Sequence, residues 1–231
     1  MKYYIIFSQP RSGTHLLRAY LRGLKVGNPA EIFYELTEDL KKDERQITIE
    51  KIYKYGKLGK NGKIWGATFF HKHYIPAMKQ IRQLKNLGDM SDFEILNNLF
   101  PSLKFIYLYR LNKVKQAISW EKAGQSGQYV YEDKVQSNSK YNPDSIRNII
   151  FKLVKDEAGW MNFFEDNNIT PHILTYESLC NAKVKTIADI LKFLEVNIDV
   201  SLTDALDQIE TPVQQYDAIN KEWYKRYLSE T

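Results

Sequence analysis

The sequence predicts an α/β fold with a mainly parallel central sheet flanked by helices on both faces. Three observations carry that reading. Short apolar runs rich in aromatic and β-branched residues alternate along the chain with amphipathic helical patterns. No internal repeat or low-complexity linker divides the 231 residues, a length that suits one sizeable domain. Apolar residues make up 43% and aromatic residues 13%, enough to bury a core between layers, which excludes a globally disordered chain.

The elements follow in order. Tyr3–Ser8 is a short apolar run and reads as a buried strand. Ser12–Leu24 reads as a helix, with Leu16, Leu17, Tyr20, Leu21 and Leu24 on one face. Gly27-Asn28-Pro29 marks a break. Ile49–Tyr55 is expected to be helical, Lys63–Phe70 a second strand, and the region around Ile75–Leu84 a helix. Ser91 followed by Glu94 has the spacing of a capping box. Lys104–Arg110 is the clearest strand, with a helix over Val114–Lys122. The polar stretch 124–144 reads as an inserted mobile segment or lid. The longest helix is expected from Ser145 to about Asn167, a further strand at Pro171–Tyr176, an amphipathic helix in "KTIADILKFLEV", and a short basic aromatic helix in "NKEWYKRYL".

Lys and Arg number 33 against 28 Asp and Glu. That mild excess suits an anionic ligand, but it lacks the dense basic stripes of a nucleic-acid binder, so no nucleic-acid partner is expected. Cys180 is the only cysteine, which excludes an intrachain disulfide framework and a Cys-rich metal site. The first apolar stretch is too short for a signal peptide, and no window approaches the ~18 apolar residues of a membrane span. A cytoplasmic setting is the expectation.

The first strand runs through "QPRSGTH" straight into a helix. In parallel sheets this junction is where anions bind, because the first helical amides lack intrahelical acceptors and the dipole favours negative charge. Gly13 would let the backbone approach a ligand, Ser12 and Thr14 would add hydroxyls, and Arg11 a forked cation. An ordinary capped strand–helix connection with a surface Arg is the plain alternative. The turn lacks the lysine and the second glycine of a nucleotide-hydrolysing phosphate loop. The neighbouring strand ends in Arg110 where a metal-binding carboxylate would be expected. Such a site clamps charge with cations rather than with a metal. Arg110 at a strand end and Ser119 in the following helix could together grip a second phosphate.

These stretches form an ordered set that resembles the PAPS-dependent sulfotransferases, and in particular the bacterial trehalose 2-sulfotransferase type. "SQPRSGTHLL" is similar to the family's 5′-phosphosulfate loop and "RLNKVKQAIS" to its 3′-phosphate motif; "GNPAEIF", "KIWGATFF", "DEAGWMNFF" and "NKEWYKRY" follow in the order of that branch. The resemblance implies a P-loop-like three-layer fold over 1–231 and a metal-independent transfer of a sulfuryl group. The donor would be 3′-phosphoadenosine 5′-phosphosulfate, the acceptor a hydroxyl of a carbohydrate, glycolipid or other small alcohol. By similarity Arg11 with the backbone of Ser12, Gly13, Thr14 and His15 would hold the 5′-phosphosulfate, and Arg110 with Ser119 the 3′-phosphate. Tyr176 would lie near the adenine, or is equally a sheet-edge tyrosine. Lys221, Lys225 or Arg226 would close over the donor, or form a solvated face.

Glu31 resembles the glutamate that serves as general base in the trehalose type. His73, and after it His71, are the competitors, since a histidine is the base in the cytosolic branch. His15 is expected to contribute backbone more than side chain. Thr68 departs from the family, standing where the related branch tends to carry a lysine; Lys72 or Lys63 would have to replace that charge. The related branch includes dimers, so a homodimer is one expected state. Two other classes stay open on the residues alone: a P-loop-type kinase of a small metabolite, and a non-catalytic nucleotide- or glycan-binding module.

Overall fold

The computed structural model describes residues 1–34, 49–58, 62–129, 139–213 and 216–230. Four strands, β1 (Lys2–Ser8), β2 (Ile64–Phe70), β3 (Lys104–Tyr109) and β4 (His172–Thr175), form an all-parallel sheet in the order β2-β1-β3-β4. The helices are α1 (Thr14–Gly23), α2 (Ile49–Tyr55), α3 (His71–Lys85), α4 (Asp92–Leu99), α5 (Lys113–Ser126), α6 (Pro143–Asp166), α7 (Tyr176–Asn181), α8 (Lys183–Phe193), α9 (Leu202–Asp207) and α10 (Ala218–Glu230). The expected α/β class, with a parallel sheet between helical layers, is what the chain forms.

The central strand shows why. Tyr4, Ile5, Ile6 and Phe7 are all fully buried, and strand periodicity sends alternate residues to opposite faces. Ile5 and Phe7 join an aromatic core with Trp160, Phe163 and Phe164 of α6 and residues of α3 and α4. Tyr4 and Ile6 join an aliphatic core against α1, α8 and α9. Burying a side chain such as Phe7 is worth roughly 1.5–3 kcal/mol, so both faces of β1 pull helices onto the sheet. A third cluster, including Ile118, Leu153 and Trp223, packs α10 onto α5 and α6.

Several boundaries differ from expectation. α1 starts at Thr14 rather than Ser12, because Gly13 has φ 92 and Arg11 φ 65, outside helical geometry. α3 starts at His71, directly after β2 and with Pro76 inside it. α5 runs on to Ser126 and α6 begins at Pro143, capped by Asn142, so both ends of the expected 124–144 insertion are helical. Residues 130–138, its middle, lie outside the described residues. Tyr176 belongs to α7, whose N-cap is Thr175. Among the described residues no helix is long and apolar enough to cross a membrane.

Registers align the carboxyl ends of the strands: Ser8 opposite Phe70, and Tyr109 opposite Thr175. The next residues are the Gln9–Gly13 loop, His71, Arg110 and Tyr176. One edge of the sheet therefore gathers most of the candidate site, at the place where open parallel sheets bind ligands.

Candidate active site

The loop after β1 is tied down from within. The Ser8 hydroxyl donates to the Leu108 carbonyl at 2.6 Å, the Ser12 hydroxyl donates to the Gln9 carbonyl at 2.7 Å, and the two hydroxyl oxygens lie 2.6 Å apart. Ser12 is fully buried. Its hydroxyl is thus spent inside the loop, and a ligand would meet its backbone, a correction to the expectation of an outward hydroxyl. Thr14 is also buried. Gln116, fully buried on α5, donates from Nε2 to the Pro10 carbonyl at 2.8 Å. It is the loop's support from the neighbouring element. Sequence reading passed over Gln116, although it lies three residues before Ser119 on the same helical face.

Arg11, Ser119, Arg110 and Tyr176 form one connected group. Arg11 Nε donates to Ser119 Oγ at 2.9 Å and its Nη1 to the Tyr129 carbonyl at 2.5 Å. Arg110 Nη1 reaches the Arg11 carbonyl at 3.4 Å. Ser119 is therefore hydrogen-bonded to Arg11 and not to Arg110. Arg110 instead lies over the Tyr176 ring, 4.7 Å from its centroid, a cation–π contact. The same ring closes on Gly13: a Cβ there would come 2.5 Å from Tyr176 Cδ2. With φ at 92, position 13 excludes side chains on two grounds.

Arg110 carries the electrostatic signature of the site. Its pKa is lowered, first by burial, with Tyr176 and Glu177 opposing in part. Its Nε is buried without a hydrogen-bond partner among the described residues. A desolvated guanidinium N–H left unpaired is costly, and an anionic oxygen is the group that would satisfy it. Glu177 accepts from the Leu111 and Asn112 amides at 3.0 and 3.4 Å, so this carboxylate shapes the turn after β3.

The Glu31 side is anchored to β2. Ala30 bridges to Ala67, and Thr68 holds it twice: its amide donates to the Ala30 carbonyl at 2.8 Å and its hydroxyl to the Pro29 carbonyl at 2.9 Å. Buried Thr68 thus positions the Glu31 backbone and offers nothing outward. The Glu31 carboxylate lies 3.6 Å from His15 Nε2, which brings the glutamate to the phosphosulfate-type loop. His71 turns the other way. Its Nδ1 meets Asp156 Oδ1 at 3.2 Å, and its Nε2 lies 2.1 Å from where a Cβ at Gly159 would be. His73 packs edge-on against Tyr34, with centroids 4.9 Å apart.

Of the two lysines that might replace a charge at Thr68, Lys63 precedes β2, at the far edge of the sheet. Lys72 lies over Trp120, the neighbour of Ser119. Arg226 of the tail helix bonds Glu230 at 2.7 Å and lies over Tyr141, so it serves that helix.

Comparison with known proteins decides the family. The family model of the Stf0 sulphotransferases matches residues 3–230. The chain belongs to the Stf0 sulphotransferase family. It is 24% identical over 260 residues to the trehalose 2-sulfotransferase of Mycolicibacterium smegmatis, covering 97% of this chain and 93% of that one. Among solved structures, a sulfotransferase from Alicyclobacillus acidocaldarius aligns with a TM-score of 0.48 and 11% identity, over 100% of this chain and 92% of that one. Mouse sulfotransferase SULT7A1 complexed with PAP aligns with a TM-score of 0.43 and 15% identity, over 89% of this chain and 63% of the mouse chain. As an Stf0 sulphotransferase the chain is an enzyme that transfers sulfuryl groups, which is the activity the motif order implied.

Proposed function

We propose that this Stf0 enzyme takes its sulfuryl group from 3′-phosphoadenosine 5′-phosphosulfate and delivers it to a carbohydrate hydroxyl. The observation that carries the reading is Arg110: a half-buried guanidinium whose Nε is buried and unpaired among the described residues and whose Nη1 lies 3.4 Å from the carbonyl of Arg11, at the carboxyl edge of a parallel sheet. When bound, the donor supplies a sulfuryl group activated as a phosphosulfate anhydride.

Arg11 and the amides of Ser12–His15 would hold the 5′-phosphosulfate and stabilise charge as it gathers on the leaving phosphate. Arg110 would hold the 3′-phosphate, with Ser119 reaching it beside Arg11. Tyr176, already against Gly13 and Arg110, would carry the adenine side. Glu31 would take the proton from the acceptor hydroxyl as that oxygen bonds to sulfur and the sulfur–oxygen bond to the 5′-phosphate breaks. His73, beside Tyr34, would line the acceptor side. A carbohydrate acceptor draws support from the trehalose 2-sulfotransferase relative.

Isothermal titration with 3′-phosphoadenosine 5′-phosphate, against ADP and without added metal, tests the donor. Binding of the former alone supports the reading. Equal binding of both nucleotides, or of neither, sinks the donor assignment. Transfer of labelled sulfate to trehalose and to other sugars tests the acceptor.

A further inference from the structure

His15 enters the sequence as one more residue of the donor loop, where its amide is what counts. The fold gives its side chain a separate place. His15 is the second residue of α1, its imidazole is 48% exposed, and Nε2 stands 3.6 Å from Oε1 of Glu31, itself 33% exposed. That distance exceeds a hydrogen bond but lies within ion-pair range. Among the described residues no lysine or arginine side chain comes within ion-pair distance of this carboxylate.

The same face of α1 reaches the segment a second time. Arg18, three residues on from His15, donates from Nε to Asn28 Oδ1 at 3.3 Å. Asn28 passes the link on to the Tyr55 carbonyl at 2.8 Å. Thr68 fixes the backbone at Pro29 and Ala30, but neither contact sets the torsions of the Glu31 side chain. The contact that addresses its carboxylate is His15.

We infer that His15 is a positioning residue for Glu31, its imidazole holding the carboxylate over the donor loop where the acceptor hydroxyl must be deprotonated. This rests on the reading of Glu31 as the base. The device separates two tasks within one residue: the His15 amide belongs to the anion loop, and its side chain belongs to the base.

The test compares His15→Ala, His15→Gln and Glu31→Gln, each alone, together with the double variant His15→Ala/Glu31→Gln. Turnover with labelled donor and trehalose, acceptor KM, and titration with 3′-phosphoadenosine 5′-phosphate are measured for each. His15→Ala should lower kcat about tenfold or more, with acceptor KM and nucleotide Kd within about twofold of wild type. His15→Gln places an N–H donor near the Nε2 position and should restore most of the loss. In the Glu31→Gln background, His15→Ala should have no further effect. Unchanged kcat in His15→Ala alongside an inactive Glu31→Gln would overturn the inference alone. So would a nucleotide Kd that weakens in step with kcat, or a His15→Gln no better than His15→Ala. Wild-type turnover in Glu31→Gln would instead remove the base itself, and this inference with it.

Discussion

Arg110→Ala separates what a residue does for the fold from what it does for the ligand, because the first effect is small and the second large. In the free protein the guanidinium is drawn out of water, its pKa is lowered by burial, and its Nε has no partner among the described residues. Its one backbone contact, to the Arg11 carbonyl, is long at 3.4 Å. A half-buried cation held by one long backbone bond and a ring contact contributes little to stability, and a melting temperature within a few degrees of wild type is expected. Toward a 3′-phosphate the same group supplies a charge-assisted hydrogen bond worth about 1.5–3 kcal/mol. That is a loss of roughly 10- to 150-fold in Kd. Arg110→Lys keeps the charge but loses the planar fork and its stacking on Tyr176, so it should recover only part. The assay is titration of wild type and both variants with 3′-phosphoadenosine 5′-phosphate, beside thermal melts of the same samples. An Arg110→Ala protein that melts normally and binds within about twofold of wild type would refute the assignment.

Three further outcomes follow from the geometry. Gly13→Ala meets both a left-handed φ of 92 and a Cβ placed 2.5 Å from Tyr176 Cδ2; a strain of roughly 1–2 kcal/mol before any clash should lower the melting temperature and weaken nucleotide binding together, and titration with melts would show it. Thr68→Val removes the bond to the Pro29 carbonyl, at a net cost of about 0.5–1.5 kcal/mol; turnover should fall while nucleotide affinity stays, and a loss of affinity would show that Thr68 supports the donor loop instead. His172, stacked on Phe193, has its pKa lowered from 6.5, first by burial, with Asp189 opposing. The fold prefers its neutral form, so that contribution to stability is full above the unfolded value and is lost as pH falls below it. His172→Phe should therefore flatten the decline in melting temperature from about pH 7 to about pH 5, and parallel curves would contradict the shift.

The strands and the donor loop were legible because their signals are local. Apolar runs mark β1 and β3, and the Ser91–Glu94 capping box forms in full, with bonds of 2.7 and 3.2 Å. The helix expected around Ile75–Leu84 begins earlier, at His71. In a helix beginning at His71, Pro76 falls in the second turn, where it removes the bond to the Lys72 carbonyl and its ring crowds that carbonyl. α7 and α9 were missed for their length, six residues each, too short to show periodicity. Within the site, the residue types were readable but their partners were not. Arg11 finds Ser119 across 108 positions, and Thr68 finds Pro29 across 39. Such pairings depend on strand order, which no local pattern carries. The lysine missing at Thr68 likewise looked like a lost charge, when the position faces a buried carbonyl.

The last turn of β1 has a bearing on how the enzyme breathes. The Ser8 carbonyl accepts the indole N–H of Trp160 at 3.1 Å, and that ring meets Phe7 edge-on with centroids 4.7 Å apart. The first carbonyl of the donor loop is thus bolted to the longest helix through the aromatic core. A loop fastened in this way cannot open without disturbing that core. Nucleotide would then enter a cradle built at the moment of folding.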